Sequence, residues 1–332
     1  MKAQFDTQVS NYWAVQSYFN PGHTGMSGNI EVSGLYRLQW LGVEHAPKTG
    51  IIVAEMPLKL LGQELGLGVS MYDDKIGLFK SSLISGQLAK RFKVAKGNLS
   101  VGLRFGMVDA SFDGTGVELT PNPGGNSNNS DNDSGGESNA PSDDAIPTTK
   151  VSGSSIDAAL GVFYEKEKWY TGLSVSHLTA PKLLLDDRTT LEMPRTYYLT
   201  AGYNWTLNNP LLELKPSILL KTMEMSSLKV EPDSLQEVNA LKGMWKQTQI
   251  DVSMRLVYNK TYWGGVSWRQ NDALTVMLGG KFKSLEVGYA YDYPISAINK
   301  VSSGSHELFI KYVIDAPKNK KEKSKRKSVR IL

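Results

Sequence analysis

The sequence predicts an all-β protein: a transmembrane antiparallel β-barrel of about fourteen strands, with both termini on the periplasmic side. Three observations carry this. Apolar and polar residues alternate with a period of two along most of the 332 residues. No apolar run approaches the roughly 20 residues that a membrane-spanning helix requires. Short and longer connections alternate along the chain, as they do between the two rims of such barrels.

Composition agrees. Hydrophobic residues are 40% of the chain, charged residues 21%, and mean hydropathy is −0.29. A barrel keeps hydropathy low because its inward residues are polar even when its outer surface lies in lipid. The lack of cysteine excludes disulfides, thiolate metal sites and cysteine nucleophiles, and fits an oxidising compartment.

The chain opens on Met1-Lys2-Ala3-Gln4, which has no apolar core and is not a signal peptide as it stands. Lys2-Ala3 before Gln4 reads either as the residues just ahead of a cleavage site or as an ordinary short N-terminus. Residues 1–29 precede the first strand. With Tyr12, Trp13, Tyr18 and Phe19 they form either a lumen plug or a periplasmic segment presenting aromatic anchors to a partner.

The barrel is expected over residues 30–315. Period-two runs fall near 30–41, 49–58, 64–73, 80–92, 97–111, 154–164, 169–178, 195–207, 210–222, 246–258, 261–270, 273–282, 285–292 and 305–315. In the fifth, Leu99, Val101, Leu103, Phe105 and Met107 alternate with Ser100, Gly102, Arg104 and Gly106. Connections after the even-numbered strands are short, such as 60–63, 93–96 and 165–168; those after strands 1, 3, 5, 7, 9 and 13 are mostly longer, and only 270–272 breaks the trend. A soluble sandwich or propeller also alternates. Its dry core, however, has no place for Arg37, Gln39, Arg104, Glu213, Lys215, Lys221, Glu286, Glu307 and Lys311 on the minor face. Trp40, Trp169, Tyr170, Tyr203, Trp205, Tyr262, Trp263 and Tyr312 sit near strand ends, as interfacial girdles do. Glycines within the strands, among them Gly66, Gly68, Gly102, Gly106, Gly172, Gly279 and Gly288, are expected to relieve curvature.

Two segments depart from the pattern with opposite charge. Pro121 to Pro147, within an expected extracellular loop 113–150, is acidic and rich in Gly, Asn, Ser and Pro; it predicts disorder. The expected periplasmic tail 316–332 carries Lys318, Lys320, Lys321, Lys323, Lys325, Arg326, Lys327 and Arg330 against Glu322 alone, a local +7 that leaves −3 for the rest of a chain totalling +4. The basic excess therefore belongs to the tail, and nucleic-acid binding by the body is not indicated.

The residue types of catalysis are present without their spacing. His23, His45, His177 and His306 form no i, i+4 pair, so neither a metal nor a cofactor is expected. Ser267 with His177 or His306 and Asn271-Asp272 offers the groups of an outer-membrane phospholipase, but no spacing holds the nucleophile against a base. No catalytic residue is assigned.

Particular strings carry a resemblance. Asn20-Pro21-Gly22-His23-Thr24-Gly25, Tyr36-Arg37-Leu38-Gln39-Trp40 and Asp73-Asp74-Lys75-Ile76-Gly77 resemble the opening, first strand and a turn of the PorP/SprF family of Bacteroidetes outer-membrane proteins. The similarity continues through Tyr197 to Tyr203, Gly264 to Arg269, Gly288 to Asp292 and Gly304 to Glu307, spanning about residues 10–315. The resemblance implies an integral outer-membrane component of the type IX secretion system. It also implies a role in gliding relatives, partnership with periplasmic ring lipoproteins and peptidoglycan-linked proteins, and service to cargo or adhesin C-terminal domains. It implies no enzyme. Outside what the resemblance carries over, the aromatic group Tyr12, Trp13, Tyr18 and Phe19 offers either partner contact or a lumen plug, and the basic tail either docks on an acidic periplasmic partner or is a solvated tail touching anionic lipid headgroups. Two other functions remain beside it: a passive transporter of small hydrophobic molecules, which needs an apolar lumen path, and the phospholipase.

Overall fold

The computed structural model describes residues 7–116, 149–186, 189–224 and 248–316. The acidic stretch Pro121 to Pro147 and the tail Lys318 to Arg330 lie outside them. Alternating sequence becomes strand throughout: β1 (Ile30–Leu38), β2 (Lys48–Leu60), β3 (Gln63–Ile76), β4 (Phe79–Val94), β5 (Gly97–Asp113), β6 (Lys150–Lys166) and β7 (Trp169–Ser176) form the first half. A hairpin of β8 (Lys182–Asp186) and β9 (Thr189–Glu192) interrupts. Then follow β10 (Thr196–Tyr203), the two-residue β11 (Trp205–Thr206), β12 (Leu212–Met223), β13 (Gln249–Tyr258), β14 (Tyr262–Arg269), β15 (Ala273–Phe282), β16 (Leu285–Pro294) and β17 (Ser305–Ile314).

Each long strand pairs antiparallel with its neighbours, β7 with β10 and β10 with β12 bridge the hairpin, and β1 pairs with β17. The result is a closed barrel of fourteen strands. All fourteen expected strands are in it. On one rim, here the turn rim, the connections are tight, and residues such as Leu61-Gly62 (φ 51° and 75°) and Asn259-Lys260 (φ 50° and 55°) adopt the left-handed conformation that matches hairpin twist. The opposite, loop rim is less uniform than expected: β3 and β4 join through Gly77-Leu78 alone.

The two faces are inverted relative to a soluble protein. Val69, Met71, Ile84, Phe105, Met107 and Ile156 point outward and are each half or more exposed, whereas Arg37, Arg104, Arg269 and Glu307 point inward and are 1–2% exposed. This is the pattern lipid demands outside and a polar lumen inside. Strands β2 to β6 run 13–17 residues, beyond the roughly 9–11 a tilted strand needs to span. The surplus rises at the loop rim, where the outer residues turn polar, with Lys80 Nζ 3.0 Å from Asp73 Oδ2.

Inside that taller wall the β8–β9 hairpin buries Leu183 and Leu185 against Leu83, Val108, Ala110 and Phe112. The sequence reading missed it because Lys182-Leu-Leu-Leu-Asp does not alternate. Two aromatic assignments also need correction. Trp263, 6% exposed, faces the lumen over Gly279 and Gly288, where an added Cβ would meet its ring at 2.3 and 2.5 Å. Tyr170 points inward too, its ring filling the space at Gly202. The girdle consists instead of outward residues such as Trp169, Tyr203, Trp205, Tyr262 and Tyr312.

Candidate functional site: the plugged lumen

Residues 7–26 occupy the barrel's interior. They fold as a 3-10 turn (Tyr12–Val15), one helical turn (Gln16–Phe19) and a second 3-10 turn (Pro21–His23). Tyr12, Val15, Tyr18 and Phe19 are 5% exposed or less. Such short turns have little stability of their own; three sets of contacts with the wall hold them.

The first is a charged clamp near the loop rim. Arg37 on β1 is the register partner of Glu307 on β17. Its Nη1 lies 3.3 Å from Glu307 Oε2 and its Nη2 2.7 Å from Asp292 Oδ2. Arg269 donates to Asp292 at 3.0 Å, to Asp251 at 3.0 Å and to Asp272 at 3.2 Å. The plug completes this network. Ser10 and Asn11 donate their backbone N–H groups to Glu307 at 2.8 and 2.7 Å, and Ser10 Oγ donates to Asp292 Oδ1 at 2.7 Å. Charges this deeply buried are tolerable only when paired and hydrogen-bonded, and the plug supplies donors to both Glu307 and Asp292.

The second is aromatic. Trp13 stands edge-on to Trp263 and Phe309, with centroids 5.1 and 5.0 Å away, and the Arg255 guanidinium lies 3.5 Å over its ring. Each such pair adds about 0.5–1.5 kcal/mol beyond burial. Tyr12 Oη shares hydrogens with Ser217 Oγ at 2.8 Å, and burial pushes its pKa well above the usual tyrosine range.

The third is the turn Asn20 to Gly25. Asn20 Nδ2 donates to Val162 O at 3.0 Å and Leu173 O at 3.3 Å, and Arg104 donates to Tyr18 O at 2.7 Å. The turn lies directly on barrel glycines: a Cβ at Gly66 would sit 1.9 Å from Thr24 O, at Gly102 2.1 Å from Pro21 O, and at Gly161 2.1 Å from Asn20 Oδ1. Gly66 and Gly102, expected to relieve strand curvature, instead join Gly161 in clearing a bed for the plug. His23, at the end of the turn, is 3.7 Å from Glu55, and burial pulls its pKa down to about 4.

Tyr12, Trp13, Tyr18 and Phe19 are thus brought together inside the lumen, Tyr12, Tyr18 and Phe19 buried and Trp13 partly buried against them. β17 ends at the turn rim, while Thr7, whose carbonyl accepts from Lys221 Nζ at 3.2 Å, lies toward the loop rim. The reason is the clamp: Glu307 and Asp292 sit at that end and draw Ser10 and Asn11 to them. A void beside Thr7 and Phe19 is about 20 Å³, room for about one water.

The phospholipase grouping is not assembled. Ser267 faces the lumen and donates to Asp251, His306 lies on the outer face with Nδ1 2.6 Å from Tyr289 Oη, and His177 is 3.2 Å from Asp157. Among the described residues no cluster of His, Asp and Glu could hold a metal.

No curated protein matches the chain. Solved structures similar to it are barrels. A Pseudomonas aeruginosa FadL homologue has 10% identity and TM-score 0.43, with 86% of this chain and 89% of that one covered. The Pseudomonas putida toluene transporter TodX has 10% identity and TM-score 0.46, with 94% and 95% covered. The translocator domain of the Neisseria meningitidis autotransporter NalP has 10% identity and TM-score 0.37, with 86% and 87% covered. At these values nothing about ligand or cargo transfers. The family model described as type IX secretion system membrane protein PorP/SprF, by contrast, matches residues 1–312, nearly the whole chain. This closed barrel, integral to the outer membrane, belongs to the PorP/SprF family of type IX secretion system membrane proteins.

Proposed function

We propose that the protein is a non-enzymatic anchor of the secretion machinery, docking periplasmic and outer-membrane partners rather than conducting cargo. The observation that carries this reading is the lumen, filled from clamp to Asn-Pro turn by residues 7–26. A barrel of fourteen strands is narrow for a folded domain even when empty, and here the plug holds a buried ionic network in place. A transporter of small hydrophobic molecules needs a continuous apolar path. The described lumen instead offers Arg37, Arg104, Arg269, Asp251, Asp292 and Glu307.

With Tyr12, Tyr18 and Phe19 buried and Trp13 packed against Trp263 and Phe309, docking falls to the outer parts of the chain, and the basic tail Lys318 to Arg330 suits an acidic face of a periplasmic ring lipoprotein. Affinity purification from cells tests the whole reading: ring lipoproteins co-purify with the intact chain, and deletion of the gene depletes surface-attached cargo. Truncation after Asp315 separates the finer claim. Unchanged co-purification and secretion by the truncated chain would remove the tail from the docking role.

A further inference from the structure

At the turn rim, the β4–β5 and β6–β7 turns and the end of β10 line an open polar cavity of about 180 Å³. That is about six waters' worth of liquid volume and below the roughly 300 Å³ at which sites for drug-sized ligands begin. It suits a small polar group. Lys96, Lys166, Glu165 and Glu167 line it, two charges of each sign, together with Asn98 and Trp169. Asn98 Nδ2 donates to Glu165 Oε1 at 3.1 Å. Lys96, Lys166 and Glu167 make no ion pair or side-chain hydrogen bond among the described residues, although opposite charges stand around the same space.

The position of the cavity selects its occupant. The strands that end there carry exposed Phe92, Val94 and Trp169 on the lipid-facing side, and Tyr203, the register partner of Trp169, continues the belt. Aromatic belts mark the depth of lipid headgroups. A cavity with balanced charges at that depth meets zwitterions more readily than polyanions, which two carboxylates would repel.

We propose that this cavity binds the headgroup of a phospholipid bearing a phosphate and a primary ammonium, with Lys96 and Lys166 toward the phosphate and Glu165 and Glu167 toward the ammonium. This goes beyond the secretion role and does not depend on it.

Native mass spectrometry of the full chain, loaded from mixed micelles with phosphatidylethanolamine, phosphatidylglycerol and phosphatidylcholine, tests it. Soluble phosphoethanolamine serves as a separate probe. Partly exposed ion pairs of this kind give about fivefold in affinity, so phosphatidylethanolamine is retained about fivefold over each other lipid. The double variant Lys96→Gln, Lys166→Gln loses retention of both phosphatidylethanolamine and phosphatidylglycerol. The double variant Glu165→Gln, Glu167→Gln loses phosphatidylethanolamine and keeps phosphatidylglycerol, an inversion that a misfolded barrel does not produce. Equal retention of the three lipids, an unchanged lipid ratio in both variants, or soluble phosphoethanolamine binding as well as the intact lipid would each overturn the proposal.

Discussion

Alanine at Gly102 or Gly161 tests whether the plug rests on bare backbone. The two residues are register partners on β5 and β6, and both lie under the Asn20 to Gly22 turn. A Cβ at Gly102 falls 2.1 Å from Pro21 O and 2.3 Å from Pro21 C, well over 1 Å inside ordinary contact distance. The struck atoms are backbone and have no rotamer to change. Overpacking of this kind costs about 1–3 kcal/mol. A turn that withdraws instead gives up the two Asn20 bonds to Val162 O and Leu173 O, about 1 kcal/mol each. The turn takes the cheaper course, so Gly102→Ala is expected to lower the stability of the plugged state by about 1–3 kcal/mol. Urea titration in detergent, read by the heat-dependent gel mobility of folded barrels, measures this, and planar-bilayer recording registers conductance steps when the plug leaves. The double variant discriminates further: one displaced turn relieves both clashes, so Gly102→Ala with Gly161→Ala costs little more than the worse single change. Additive costs, or two neutral substitutions, would refute the bed of glycines.

Other consequences are simpler. Arg37→Met leaves Glu307 buried without its register partner and destabilises the barrel by about 3–5 kcal/mol in the same titration. Trp13→Ala empties the box formed by Trp263, Phe309 and Arg255 and costs about 3–5 kcal/mol, with the plug becoming cleavable by added protease. Ser267→Ala loses a hydrogen bond to Asp251, lowering stability by about 1 kcal/mol, while lipid hydrolysis stays at background in both proteins. His23 has a folded pKa near 4 against an ordinary 6.5. The unfolded chain takes up its proton first, so stability falls as pH drops from about 6.5 toward 4; His23→Gln removes that part of the pH dependence in denaturation midpoints.

Fold and site were legible to different degrees. The strands were readable because lipid outside and polar groups inside impose one period on every strand, as in Leu99 to Met107. The charged minor face identified the lumen for the same reason. What occupies the lumen was only half legible: Tyr12, Trp13, Tyr18 and Phe19 signal burial, but a cluster of aromatics does not say against what. The clamp joins Ser10 to Asp292 and Asn11 to Glu307, pairs separated by 282 and 296 residues, and no local pattern relates them. Glycines carried the best unread clue. Gly66, Gly102 and Gly161 all lie on inward positions, which curvature alone does not require. Trp263 misled because strand ends hold girdle and lumen aromatics alike, and only the missing side chains at Gly279 and Gly288 separate them.

The pairing of Arg37 with Glu307 joins the first strand to the last, so the clamp that grips Ser10 and Asn11 also spans the place where the ring is completed. A strap threaded along the axis cannot easily enter a finished cylinder, since its bulky Trp13 and Tyr18 would have to pass the tight turns. The expected order of assembly follows: residues 7–26 settle while the wall is still an open sheet, and the meeting of β1 with β17 seals them in. Once sealed, the strap leaves only if that join parts or the strap unravels, so its residence is a matter of rate as much as of equilibrium.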